Sequence, residues 1–300
     1  MTRAVLAFLI TVSATAACAE DIQSKATLVT KLSDTRINES SGIAIGRRNP
    51  GIFWTVNDSG GGPFVFAVDD EGGTKARFEI TGATNFDWED IASGPDADGK
   101  PSLFLGDIGD NLLIRPEVWI YQIEEPSLNS APTSGEVKIT QFKTLRAAYP
   151  DGRHNAESLL CHPQTGRLFI ITKTIDGKCL MYAFPEALRT DIVMKLERVA
   201  DFQIPPVNRP GKRSIDNCMS TGACFAPDGA RIVVSTYSSL YQWTLGPLQT
   251  LADAFAQKPI RIVPPLLPQS EAVCYSADGK SLWITSERLP TPLWRIEAKP

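Results

Sequence analysis

EAVCYSADGKSLWITSE, residues 271–287, is one hairpin written out in full. Ala272–Tyr275 reads as a strand. Ser276-Ala277-Asp278-Gly279 reads as a tight turn, because Asp and Gly accept the backbone such turns need. Leu282–Ser286 returns with strand-like alternation, and Pro292–Ile296 supplies a third strand. The turn recurs as Ala226-Pro227-Asp228-Gly229 and His162-Pro163-Gln164-Thr165-Gly166. Working outward, five residue pairs 16 to 18 apart mark the start of a first strand and the end of a second: Ser41/Asp58, Glu89/Asp107, Glu157/Lys173, Thr221/Tyr237 and Glu271/Glu287. Trp54, Leu103, Phe169, Val233 and Trp283 each stand four residues before the second member. An aromatic-x-apolar triplet opening at Phe66, Tyr121, Tyr182, Tyr241 or Trp294 marks the third strand. Short strands repeating about every fifty residues or more are the pattern of a β-propeller, one four-stranded blade per repeat.

Five repeats predict an all-β, five-bladed β-propeller in a single domain, residues 20–300. The last repeat lacks a fourth strand, and a spare strand at Ala26–Leu32 precedes the first. That strand would close the last blade and remove an open edge. A six-bladed ring is the alternative. It would have to take a blade from the intervals Glu89–Glu157 or Glu157–Thr221, which read instead as one fourth strand and one long loop each, Leu145–Asn155 and Pro205–Ser220.

Residues 1–19 read as a signal peptide: Arg3, an apolar run Ala4–Val12, and the cleavage site Ala17-Cys18-Ala19. The run is too short to span a bilayer, and no later segment is a transmembrane candidate. The expected location is periplasmic or secreted, with a lipoprotein anchored at Cys18 as the alternative. A net charge of −4, with Arg3 removed on cleavage, argues against nucleic acid as a partner. A monomer is the expected state. No P-loop, H-E-x-x-H or G-x-S-x-G is present. There is no C-x-x-C, and the chain has only two histidines, so zinc is not indicated. Cys161, Cys224 and Cys274 fit buried apolar strand positions, while Cys179 and Cys218 are the candidate disulfide of an exported protein.

The start of the first strand and the end of the second lie on one face of a propeller. Asp58, Glu89, Asp107, Glu157, Glu271 and Glu287 therefore gather at the mouth of the central channel, with Lys173 and Tyr237 among them. So many carboxylates in a confined space must share protons or a cation. Ca²⁺ suits them, since it takes six to eight oxygens in flexible geometry. Asn57–Gly62 and Gly106–Asn111 set carboxylates beside glycines. The candidate ligands are Asp58, Glu89, Asp107, Asp110, Glu271 and Glu287. Asn57, Trp88, His154, Tyr237 and Arg213 are candidate contacts for a small-molecule or polymeric ligand. The leading expectation is an exported calcium-binding propeller recognising a ligand at this mouth. One alternative is a calcium-dependent hydrolase of a phosphoester, lactone or related ester, with Glu157 as base and Lys173 and Arg153 stabilising negative charge. Another is a metal-independent glycosidase using two channel carboxylates.

Glu39-Ser40-Ser41-Gly42-Ile43-Ala44, Asn57-Asp58 and Phe86-Asp87-Trp88-Glu89-Asp90-Ile91-Ala92 together resemble the exported SdiA-regulated propeller family. Glu271-Ala272-Val273 also looks like an inner-strand start in phytase-like and gluconolactonase-like propellers. The specific likeness covers the first third of the chain. It implies an exported propeller with a calcium site and fixes no reaction. The Gly106–Asn111 turn and the Arg153/His154 loop depart from it.

Overall fold

The computed structural model describes residues 20–22, 24–130, 136–208, 211, 213 and 217–298. The expected signal peptide, including Cys18, lies outside the described residues. Strands β1 (Glu20–Ile22) and β2 (Ala26–Lys31) precede the first repeat. Blade 1 comprises β3 (Ser40–Ile45), β4 (Ile52–Asn57), β5 (Phe64–Asp69) and β6 (Thr74–Ile80). Blade 2 comprises β7 (Trp88–Pro95), β8 (Pro101–Asp107) and β9 (Val118–Glu124), then, after β10 (Glu136–Ile139), β11 (Lys143–Ala148). Blade 3 comprises β12 (Ala156–Cys161), β13 (Leu168–Thr172) and β14 (Lys178–Ala183), then, after β15 (Val193–Lys195), β16 (Glu197–Gln203). Blade 4 comprises β17 (Ser220–Phe225), β18 (Arg231–Thr236), β19 (Leu240–Thr244) and, beyond the short helix α1 (Leu251–Phe255), β20 (Ile260–Ile262). Blade 5 comprises β21 (Ser270–Tyr275), β22 (Ser281–Ser286) and β23 (Pro292–Glu297), and β2 completes it by pairing antiparallel with β23.

The chain is thus a five-bladed β-propeller, closed by its N-terminal strand as expected. The described strands form five sheets, not six, because the wide intervals add outer strands to existing blades. The loop expected over Leu145–Asn155 is shorter, since β11 runs to Ala148 before the chain turns. Apolar side chains on the two faces of each blade form five clusters, one between each pair of neighbouring blades. Trp54, Leu103, Phe169, Val233 and Trp283 all belong to these interfaces, which explains the recurrence of a bulky residue at that repeat position.

The connection between the third and fourth strands of each blade covers the outer edge of the blade before it. In blade 2 that connection contributes β10, which pairs parallel with β6 of blade 1. In blade 3 it contributes β15, parallel to β11 of blade 2. In blade 4 it contributes α1, whose Phe255 stacks on Phe202 of β16 at 4.2 Å. In blade 5 the chain termini interrupt it, and β1 pairs parallel with β20 of blade 4. In blade 1 it is a turn, whose Glu71 carbonyl accepts from Thr30 Oγ1 at 3.0 Å and whose Gly72 carbonyl accepts from Ser33 N at 2.9 Å. Unpaired outer edges are thereby capped all round the ring.

The innermost strands, β3, β7, β12, β17 and β21, pack side by side around the axis. The ring is tight. A Cβ on Gly42 would lie 2.5 Å from Ile91 N, and one on Gly222 2.5 Å from Glu271 O, so only glycine fits where these neighbours meet. Cys179 and Cys218 share the cluster between blades 3 and 4, where both are buried and no disulfide joins them, contrary to expectation.

Candidate functional site at the channel mouth

Each innermost strand carries a register shift at its head: between Ser40 and Gly42, Trp88 and Asp90, Ala156 and Ser158, Ser220 and Gly222, and Ser270 and Val273. The residues lifted out of register include Ser41, Glu89, Glu157, Thr221 and Glu271, the first ring read from the sequence. A bulge re-aims a side chain that the pleat would otherwise direct into a blade face. Ser41 donates to Glu89 O at 2.6 Å, and Thr221 to Ser270 O at 3.1 Å, stitching each blade to the next. The three glutamates are left to meet at the centre. Carboxylate oxygens of Glu89, Glu157 and Glu271 lie within 4.8 Å of one another, and all three residues are buried. Asp58, Asp87 and Glu89 form a second group of the same dimensions, so Glu89 belongs to both.

The second ring adds a partner to each glutamate. Asp58 faces Glu89. Lys173 Nζ donates to Glu157 Oε1 and, at 2.7 Å, meets Tyr237 OH. Glu287 hydrogen-bonds Glu271, which also accepts from Gln269 Nε2 at 3.0 Å. Glu157 Oε2 is buried and has no hydrogen-bond partner among the described residues.

The electrostatics follow from this crowding. Burial, then the charges of Glu157, Asp58 and Glu271, hold Glu89 well above the usual carboxylate range. Glu157 is pushed up to about 8 by burial and Glu271, against the pull of Lys173. Glu287 is pushed up to about 9 by burial and its bond to Glu271, and Asp87 to about 6 by burial and Asp58. Burial works against the charge on Lys173, but Glu157, Tyr237 and Glu271 outweigh it and hold the ammonium above its ordinary value.

The six expected metal ligands divide. Asp58, Glu89 and Glu271 sit in the carboxylate groups, with Glu287 beside Glu271. Asp107 lies beside Asp87 with its carboxylate already engaged: it pairs with Arg115 at 2.7 Å and accepts from Phe86 N and Asp87 N. Asp110 accepts from Ile114 N and Arg115 N, both at 2.8 Å, holding a turn in which Leu113 has φ 54°. In that segment the contribution to the site is Gly109, since a Cβ there would lie 2.3 Å from Asp87 Oδ2 and 2.4 Å from Glu89 Oε1. The sequence reading passed over two residues, Asp87 as a ligand candidate and Asn85. The Asn85 amide binds the carbonyls of Asn57, Asp58 and Gly62 at 3.0 to 3.2 Å and fixes the turn that carries Asp58.

The expected ligand contacts divide similarly. Tyr237 is in the cluster through Lys173. Asn57 is buried and spends its side chain on Arg36 O, Asn38 and Glu39 N. Trp88 is fully buried, with Nε1 on Thr84 O at 3.0 Å, so it packs and offers no open face for stacking. The exposed aromatic is instead Phe86, with Arg115 5.0 Å from its ring centroid. His154 belongs to a separate group, with Nε2 3.1 Å from both Asp151 Oδ1 and Tyr182 OH. Arg153 donates to Leu113 O at 3.4 Å, and Arg153 and Arg213 are both exposed.

No family model matches the sequence, and a comparison with curated proteins finds no match. Among the described residues no helix is long and apolar enough to cross a membrane.

Proposed function

We propose that the protein is an exported calcium-binding β-propeller that recognises a ligand at its acidic channel mouth. The observation that carries this reading is Glu157 Oε2, a buried oxygen without a partner among the described residues, on a glutamate grouped with Glu89 and Glu271. A buried polar atom left unpaired is costly, and one facing other carboxylates calls for a positive ligand. Oxygens ringing one Ca²⁺ lie within about 5 Å of one another, which matches both carboxylate groups. Asp58, Asp87, Glu89, Glu157 and Glu271 would hold the ion, with Lys173 balancing part of their charge. All-oxygen donors favour a hard cation over a soft metal. Phe86, Leu112, Leu113 and Ile114 expose apolar surface on loops flanking these strand ends, which supports a ligand with both an anionic and an apolar part. The decisive experiment measures metal content by elemental analysis and melting temperature in chelator. Chelation should lower the melting temperature and calcium should restore it. An unchanged melting temperature with no bound metal would rule the ion out.

A second reading, a metal-dependent hydrolase, rests on Glu157. Burial pushes its carboxyl up to about 8, close to the working pH that suits a general base, and Lys173 donates to it. Arg153 does not support this reading, because its guanidinium is engaged by Leu113 O. A panel of phosphoesters, lactones and esters tests it. Turnover lost in a folded Glu157→Gln variant supports the base, and undiminished turnover removes it.

A further inference from the structure

The other end of the channel opens into a cavity of about 330 Å³. Its wall comes from the second halves of all five innermost strands and includes Ala44, Ala92, Leu159, Ala223, Cys224 and Cys274. Asp90 separates it from the acidic mouth. The Asp90 carboxylate is fully buried and accepts from the amides of Ile91, Leu159 and Ala223, three residues that line the cavity. Burial keeps the lining thiols protonated: that of Cys161 is pushed up to about 12. The wall is thus mostly apolar, with Ser93 and Tyr275 adding polar groups, and its one charged residue is Arg47, at the outer opening.

Arg47 reaches from blade 1 to Pro163 O in blade 3, at 3.0 Å. Blades 1 and 3 are not neighbours, so the side chain spans the opening. Its root is fixed, because Arg47 N donates to Glu125 Oε2 at 2.9 Å. That carboxylate also takes the amides of Arg48 and Asn49, Asn49 Nδ2 and Trp54 Nε1, which leaves it turned away from the guanidinium. Among the described residues no carboxylate pairs with the Arg47 guanidinium, whose one bond is to a neutral carbonyl. An unneutralised guanidinium at the rim of an apolar cavity is the arrangement that selects an anionic head on an apolar body.

We propose that this end of the channel is a second binding site, taking a small amphiphile with an apolar body and a carboxylate head held by Arg47. The carboxylate would replace Pro163 O on the guanidinium, and the apolar body would enter the cavity. The site is independent of calcium at the mouth, since Asp90 and the inner strands lie between them.

Calorimetric titration of the purified protein with decanoate and with decanol, in chelator and in calcium, tests the proposal. Decanoate should bind at one site in either medium. Arg47→Ala should weaken decanoate at least tenfold and leave decanol unchanged. Ser93→Phe, which fills the cavity from its wall, should abolish both. The proposal is overturned if decanoate fails to bind, if it binds only with calcium, or if Arg47→Ala weakens decanoate and decanol equally. Should Ser93→Phe fail to fold, the decanoate-to-decanol comparison in Arg47→Ala still decides.

Discussion

At the mouth of the channel, Glu89, Glu157 and Glu271 converge on a few ångströms of buried space. Further along the same strands, Ala92, Leu159 and Cys274 line one mostly apolar cavity. The difference lies in register. The mouth positions sit in bulges and point inward, whereas the later positions obey the pleat. One set of strands therefore supports a charged end and a mostly apolar end, with Asp90 at the boundary. The mouth holds repulsion that protons or a cation must relieve, and the cavity end holds none.

The comparison breaks most severely at the boundary. Asp90→Ala should orphan three buried amides and cost roughly 4 kcal/mol or more in denaturant unfolding. A loss below about 1 kcal/mol would show that the two ends do not depend on that carboxylate. Next is Lys173→Met, which leaves Glu157 without its counter-ion. It should cost about 3 kcal/mol at pH 8 in chelator, and less in calcium, because the ion replaces the lost charge. An equal loss in both media would separate Lys173 from the ion.

A change of pH sharpens the contrast without mutation. Glu157 and Glu287 stand near 8 and 9 in the folded protein against 4.5 for an ordinary glutamate. Through that window the folded form binds more protons than the unfolded form, so stability falls as pH rises. It is complete below about pH 4.5 and lost on rising through the folded values. Metal-free protein should lose at least about 1.4 kcal/mol between pH 5.5 and 8.5, the worth of one pKa unit in one group. Calcium should flatten the profile. A metal-free melting temperature that does not change with pH would contradict the cluster's protonation. The smallest effect belongs to the cavity end: Arg47→Ala should change unfolding free energy by no more than about 0.5 kcal/mol, since the side chain is exposed and bonds a carbonyl.

Repeat positions made most of the fold legible. Bulky residues four places before each strand end recur because every blade interface needs them, and Ala26–Leu32 announced the closure because the last repeat was one strand short. The outer strands β1, β10 and β15 were not legible. They are three or four residues long, and their pairing partners lie in a neighbouring blade. At the site, the ring of Glu89, Glu157 and Glu271 followed from spacing alone, and so did the approach of Lys173. The local roles of Asp107, Asp110, Asn57 and Trp88 did not, because hydrogen bonds and burial that only the fold sets up engage their side chains.

The sequence by itself determined the blade number, the closing strand and the charged face, since each is a matter of period and order along the chain. Only the tertiary structure decided which carboxylates meet, that Glu157 keeps an unpaired oxygen, and that a cavity lies beneath Asp90. Those depend on bulges, on glycines where strands touch, and on competition among hydrogen-bond donors brought together from different blades. Such competition is settled in three dimensions, because a side chain's partner is whichever group the fold sets beside it.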